Sequence, residues 1–364
     1  MVIALVRFPL PMAVMAIHFF RMAPFEVKGT EYNPAENPIT AAFIRFIDIF
    51  VGDFSVPTFF FVSGFLFFAG GFSLKIWQKK LRRRSRGLLV PYIVWNILAV
   101  AFAWILLLPI FSSFIPSLQG VQFDMTWGEF FKGFVIGVNE FSNPHAGNLW
   151  FVRELMTVIL LSPLINYLVD RWGKAFLALT GVFWVVCFVP AVAMYAQFIS
   201  SALMFFSLGA YFSKKNIDPV ALFSRFWKPA ALLFVVLGSV AINLGDSTTV
   251  AVRITKVVTI PCALIIVFSV ASIWGTSKLR QRLFGDVALS DMIPGVAFYL
   301  FASHSILLWH FKILVFYLLR PTSDLGFLAT FLFAYLFMIA CMVAVYWIIG
   351  KLCPLAQRII SGRL

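Results

Sequence analysis

Charge is scarce in this chain. Asp, Glu, Lys and Arg together make up 12% of its 364 residues, about half of what a soluble globular protein carries. Most of its surface must therefore face something other than water. Acidic residues are the scarcest, 15 against 29 Lys and Arg, for a net charge of +14. The four Cys show no disulfide or metal-ligand spacing, and Cys187, Cys262 and Cys341 sit inside apolar runs, where a thiol behaves as a small hydrophobe. No metal is expected. Internal repeats, low-complexity tracts and long soluble segments are also missing, so one domain is expected over residues 1–364.

What fills the chain instead is apolar. Hydrophobic residues reach 62%, 44 of them Phe, and the mean hydropathy is +0.95. About 20 helical residues cross a bilayer core, and apolar runs of that order recur between charged or Pro/Gly-rich breaks. Ten spans are expected, near 2–20, 43–72, 88–112, 149–168, 175–194, 198–213, 229–245, 254–275, 296–318 and 326–350. The fold class that follows is an all-α, polytopic integral membrane protein of about ten transmembrane helices. The first span is read as retained, because Arg7, Pro9 and Pro11 interrupt it and no basic segment precedes it, unlike a cleaved signal peptide.

Lys and Arg are distributed unevenly between the loops. With the N-terminus in the cytoplasm, nineteen fall in inner segments, seven of them between Lys75 and Arg86, against five outside: Arg21, Lys28, Lys132, Arg253 and Arg320. Positive loops stay inside, so both termini are expected in the cytoplasm. The same asymmetry accounts for the basic charge without nucleic acid. Two outer segments, about 21–42 and 113–148, are long enough to cover a substrate; the second carries Trp127, Glu129, Glu140 and His145.

Ionisable residues within spans are costly and tend to face a protein interior or a wet cavity. Arg7 and His18 lie eleven residues apart, about three helical turns, which places them on one stripe roughly 16 Å apart if the helix is unbroken. Such a stripe suits a site taking a donor from one side and an acceptor from the other. Equally, Arg7 snorkels to the inner headgroups and His18 sits at the outer interface. The run Lys79-Lys80-Leu81-Arg82-Arg83-Arg84-Ser85-Arg86 suits a polyphosphate ligand such as coenzyme A, or else anchors the chain to anionic lipid. Ser63-Gly64 reads as a close-packing pair rather than a nucleophile. Arg153-Glu154, after Leu149-Trp150-Phe151, is an interfacial ion pair or part of an acceptor site. His304 and His310, six residues apart, fall on different helix faces, so at most one shares a cavity.

In order and spacing these features resemble membrane acyltransferase family 3, polytopic O-acyltransferases of cell-surface glycans. Arg7 and His18 match the family's Arg, ten residues, His spacing in the first helix. Pro57-Thr58-Phe59-Phe60-Phe61-Val62-Ser63-Gly64-Phe65-Leu66 is similar to its second-helix segment. Arg83-Arg84-Ser85-Arg86-Gly87-Leu88-Leu89-Val90-Pro91-Tyr92 matches its Arg-x-x-Arg element running into Leu-x-Pro-Tyr. Leu149-Trp150-Phe151 resembles the fourth-helix entry, and Ser303-His304 the late His-containing helix, with its tyrosine displaced to Tyr299.

The resemblance implies an acyl-CoA donor, acetyl-CoA first and succinyl-CoA second, bound from the cytoplasm with its phosphates on Arg83 and Arg86. It implies His18 as general base and Arg7 as stabiliser of the thioester oxygen. Trp150, Arg153, Glu154 and His304 become candidates for holding the acceptor, a cell-envelope glycan or lipid-linked sugar. The expected location is a bacterial inner membrane. A transporter or flippase for a lipid-linked glycan is the alternative class; it needs no coenzyme A site, so coenzyme A binding separates the two.

Overall fold

A computed structural model describes residues 2–7, 9–52, 54–108, 124–137, 143–190, 194–244, 249–278 and 294–364. Glu140, from the sequence reading of the outer loop, lies outside the described residues. The chain is helical nearly throughout. In order it forms α1 (Val2–Arg7), α2 (Pro9–Phe19), the strands β1 (Phe25–Val27) and β2 (Thr30–Tyr32), α3 (Pro38–Ile47), α4 (Ser55–Phe68), α5 (Leu74–Arg84) and α6 (Val90–Leu107). There follow α7 (Trp127–Val135), α8 (Trp150–Leu160), α9 (Ser162–Trp172), α10 (Lys174–Phe188) and α11 (Met194–Lys214). The last five are α12 (Pro219–Leu244), α13 (Val250–Thr276), α14 (Pro294–Leu319), α15 (Asp324–Leu352) and α16 (Pro354–Ile360).

Among the described residues seven helical stretches are long and apolar enough to cross a membrane: Pro38–Phe68, Leu74–Leu107 and α11 to α15. An eighth crossing arises if the pair formed by Gly147–Leu160 and α9, bent by 62°, counts as one. The other two expected spans fall on the shorter apolar helices α2 and α10. Outward faces of the long helices are apolar, as at Leu232 and Val235 of α12 and Leu336 of α15. In water that surface would be unfavourable; against lipid it costs nothing.

By internal contacts the chain gathers into two units: one of Met1–Val14, Asp48–Ser85 and Phe151–Ala297, the other of Met15–Ile47, Arg86–Trp150 and Phe298–Leu364. In the first, α4 and α11 cross with almost nothing between them. A Cβ added at Gly64 would overlap the Phe206 carbonyl oxygen, and one at Gly209 the Phe61 carbonyl oxygen. The Ser63-Gly64 pair is thus a packing feature, as its small size predicts. Around the crossing Phe61 meets Phe212, Phe223 and Phe268.

In the second unit the segment after α2 makes a hairpin that an all-helical reading omits. Phe25 pairs with Tyr32, Glu26 with Glu31 and Val27 with Thr30. Lys28 and Gly29 turn the chain with φ of 47° and 80°, the doubly left-handed geometry of a two-residue hairpin loop. Buried Phe25 and Tyr32 hold it down, both edge-on to Phe316 and Phe327. Beyond the hairpin, the Asp324 carboxylate accepts the Ile39 and Thr40 amides, at 2.6 and 3.0 Å, and the Thr40 hydroxyl. It therefore caps α3 from the start of α15.

Candidate functional site

The Arg7–His18 stripe is the first expectation to meet the structure. Arg7 is the last described residue of α1 and His18 lies in the last turn of α2; Phe8, between the two helices, lies outside the described residues. The Arg7 side chain lies outside the described residues.

His18 sits in the last turn of α2, partly buried and with no protein hydrogen bond on its ring. Its neighbour is a residue distant in sequence. The His304 ring stacks against it, centroids 5.5 Å apart and planes inclined by 28°. His304 lies mid-way along α14 and is fully buried. Its Nδ1 stands 2.6 Å from the Phe301 carbonyl oxygen one turn earlier. A carbonyl only accepts, so Nδ1 carries the hydrogen and Nε2 is left as the basic nitrogen. That Nε2 is buried and has no hydrogen-bond partner. Two imidazoles thus lie face to face, one locked in a single tautomer and the other with both nitrogens open to a ligand.

Asn148 holds the partner helix at this level, and the sequence reading passed over it. A short turn, Gly147–Leu149, leads into α8 and is fixed from outside. Buried Asn96 accepts the Ala146 amide at 3.0 Å and donates to the Tyr92 carbonyl at 2.8 Å. The turn presents Asn148, whose side-chain amide donates to the Phe301 carbonyl while its oxygen accepts the Ser305 hydroxyl at 2.6 Å. It therefore brackets His304 from both sides along α14. The signal was its place directly before Leu149-Trp150-Phe151, where a polar residue begins an apolar helix.

Trp150, the first residue of α8, is partly buried beside this turn. Arg153 and Glu154 lie one turn further on, in the first unit. Arg153 Nε donates to Glu154 Oε1 at 2.9 Å, and the two side chains are 8% and 0% exposed. That is an ion pair buried inside the protein. The Arg153 guanidinium also lies over the Tyr195 ring, 5.4 Å from its centroid, while Glu154 Oε2 is buried without a partner. An open carboxylate oxygen inside the protein is an acceptor for a sugar hydroxyl.

Arg83 belongs to the last turn of α5, and Arg86 to the π-helical turn Ser85–Leu89 that joins α5 to α6. Both side chains are exposed, and neither is paired with a carboxylate among the described residues. A guanidinium so exposed can fork onto a phosphate. His310 follows the reading that separated it from His304: its Nδ1 stands 3.1 Å from the Ile306 carbonyl oxygen, and its ring packs edge-on to Phe102. His145 faces the Phe130 carbonyl at 2.8 Å and braces α7. Among the described residues, no cluster of three or more His, Cys, Asp or Glu could hold a metal ion.

Known proteins were compared with this arrangement. A family model described as an acyltransferase domain matches residues 3–347. Among curated proteins, the succinoglycan biosynthesis protein ExoH of Rhizobium meliloti (strain 1021) is 24% identical over 351 residues, covering 91% of this chain and 86% of its own. No solved structure matches.

Proposed function

The chain belongs to acyltransferase family 3, and from that premise we propose that it moves an acetyl or succinyl group from acyl-CoA to a hydroxyl of a cell-envelope glycan or lipid-linked sugar. The observation that carries this reading is the stacked pair of His18 and His304. His18 is the general base. It takes the proton of the acceptor hydroxyl as that oxygen attacks the thioester carbonyl carbon. The new carbon–oxygen bond leaves a negative oxygen, which Arg7 stabilises. The carbon–sulfur bond then breaks, and the departing coenzyme A sulfur takes the proton back from His18. His304 Nε2 accepts a hydrogen bond from the sugar, and Trp150, Arg153 and Glu154 hold its other groups.

Arg83 and Arg86 bind the phosphates of coenzyme A, which enters from the cytoplasm. Ten crossings with both termini inside, in a bacterial inner membrane, complete the arrangement. The relative's name places it in succinoglycan biosynthesis, which supports a surface polysaccharide as the acceptor here and keeps succinyl beside acetyl as the transferred group.

The test is binding of radiolabelled acetyl-CoA and succinyl-CoA to the purified protein in detergent, beside an Arg83→Ala, Arg86→Ala variant. Saturable binding that coenzyme A competes away and the variant loses supports the reading. Absence of binding by both donors overturns it.

A further inference from the structure

Lys312 is 3% exposed, deep in α14 and eight residues beyond His304. Eight helical residues span about 12 Å, so the lysine is close to the histidine pair along the same helix. Its ammonium is surrounded by rings rather than acids. Nζ lies 4.1 Å from the Phe25 centroid, 4.3 Å from that of Trp309 and 5.9 Å from that of Phe331. The two salt bridges among the described residues are Arg153–Glu154 and Lys214–Asp170, and Lys312 joins neither. Aromatic faces offset part of the cost of a buried ammonium. They do not neutralise it, and an uncompensated charge inside a protein is expensive.

Other cations lie on the hairpin turn and further along the chain from Lys312. Lys28, at the hairpin turn, donates to the Tyr317 hydroxyl at 3.2 Å, and Arg320 lies over the same ring with its guanidinium 5.4 Å from the centroid. Arg21 follows His18 by three residues, just past the end of α2, and is exposed. Nearby carboxylates are engaged elsewhere or point outward. Glu26 accepts the Gly29 amide, Asp324 caps α3, and exposed Glu31 lies across the hairpin from Glu26. Arg21, Lys28 and Arg320 are three of the five Lys and Arg that the sequence assigns to outer loops. Lys28 and Arg320 meeting on one ring runs against the depletion of positive charge expected on that face.

We propose that Lys312, with Arg21, Lys28 and Arg320 contributing, forms an oxyanion subsite that takes a phosphate or carboxylate of the acceptor. The proposal rests on the acyltransferase reading for the identity of the ligand as acceptor. A charged group seated there would position a sugar hydroxyl at the histidine pair and complete the charge balance of the buried lysine. Phosphate would mark the diphosphate of a lipid-linked sugar, carboxylate an acidic sugar of the glycan itself.

The experiment titrates the full-length protein in detergent with inorganic pyrophosphate and, separately, with glucuronate, by calorimetry. All titrations use the Arg83→Ala, Arg86→Ala background, which removes phosphate binding at the donor site. Saturable binding of one probe is expected. Lys312→Met should weaken it by about tenfold or more, as for loss of a charge-assisted contact, while Lys312→Arg should stay within about threefold. Arg21→Ala and Lys28→Ala, both at exposed positions, should each weaken binding by about two- to fivefold, and they supply the answer should Lys312→Met fail to fold.

Which probe binds distinguishes the two sources. Failure of both probes to bind, or equal binding by the Lys312→Met and exposed-site variants, overturns the proposal and leaves Lys312 as a packing residue. Acetyl-CoA binding, measured separately on the protein with Arg83 and Arg86 intact, tests the donor reading. Its failure would leave the anion result standing without an acyltransferase acceptor to explain.

Discussion

The imidazoles of His18 and His304 stack with their centroids 5.5 Å apart, although 286 positions separate them along the chain. Their chemistry differs because their hydrogen bonds differ. His304 gives its Nδ1 hydrogen to the Phe301 carbonyl, whereas His18 has no such tie among the described residues.

Replacing His18 by Ala should lower acyl incorporation into membrane glycan by about 100-fold or more, the usual scale for losing a general base. Acetyl-CoA binding should persist within about threefold. Incorporation of radiolabel from acyl-CoA, alongside equilibrium binding, measures both; full turnover by the purified variant sinks the assignment.

Arg83→Ala with Arg86→Ala should raise the apparent KM for the donor by about tenfold or more, with a smaller change in kcat, because the lost contacts act on binding rather than on bond making. A KM equal to that of the unaltered protein would return these arginines to the role of lipid anchors.

Gly64→Ala should destabilise the protein by about 1–3 kcal/mol, since a new methyl must displace the backbone at Phe206. Gly29, whose added Cβ would meet nothing within 4 Å, is a control for steric overlap, though its φ of 80° still disfavours a side chain. Thermal denaturation in detergent distinguishes them. The expected result is a lower midpoint for Gly64→Ala than for Gly29→Ala.

Glu154→Ala removes one half of the buried Arg153–Glu154 pair and leaves a guanidinium inside the protein. The expected cost is about 3–5 kcal/mol, read as lost expression or a lowered thermal midpoint. Glu154→Gln, which keeps the shape and a hydrogen-bond acceptor, should recover part of the fold without recovering full transfer activity. Equal activity in the Gln variant and the parent would remove Glu154 from the acceptor site.

The start of α7 offers a pH readout. Thr126 gives its amide and hydroxyl to Glu129 Oε2, at 2.9 and 2.8 Å, and accepts the Glu129 amide in return. These bonds hold the Glu129 carboxyl below its ordinary value. A depressed carboxylate stabilises its helix end above the unfolded pKa and loses that contribution as pH falls through the folded one. Amide exchange at Glu129 and Phe130 should therefore gain protection from acid toward neutral pH, and Thr126→Val, which keeps only the backbone bond to Glu129, should reduce the difference.

The bilayer helices were largely readable from hydropathy, because the solvent imposes one simple requirement on their length and outer surface. Among the described residues seven, or eight with the bent pair, of the ten expected spans fall on helices long and apolar enough to cross; the other two fall on the shorter helices α2 and α10. Pro57 through Leu66 also disclosed a close crossing before any partner helix was known. What the sequence hid was partnership. Nothing local pairs His18 with His304, or seats Lys312 under Phe25; those contacts arise from packing between distant helices. The hairpin escaped because its strands are three residues each and its turn, Lys28-Gly29, lacks the usual Asn or Asp. Burial of Arg153 and Glu154 was hidden because the interior of a bundle and a membrane surface share one hydropathy pattern.

A single carboxylate links the beginnings of two helices. Asp324 opens α15, yet its oxygens satisfy the Ile39 and Thr40 amides that α3 would otherwise leave bare. The first turn of α3 thus has no independent life: opening α15 at that end uncaps α3, and fraying α3 strips α15 of its neighbour. Hydrogen exchange should show the two turns, 284 residues apart, opening as one event, so that the segment carrying the hairpin is bounded by a latch rather than by a hinge.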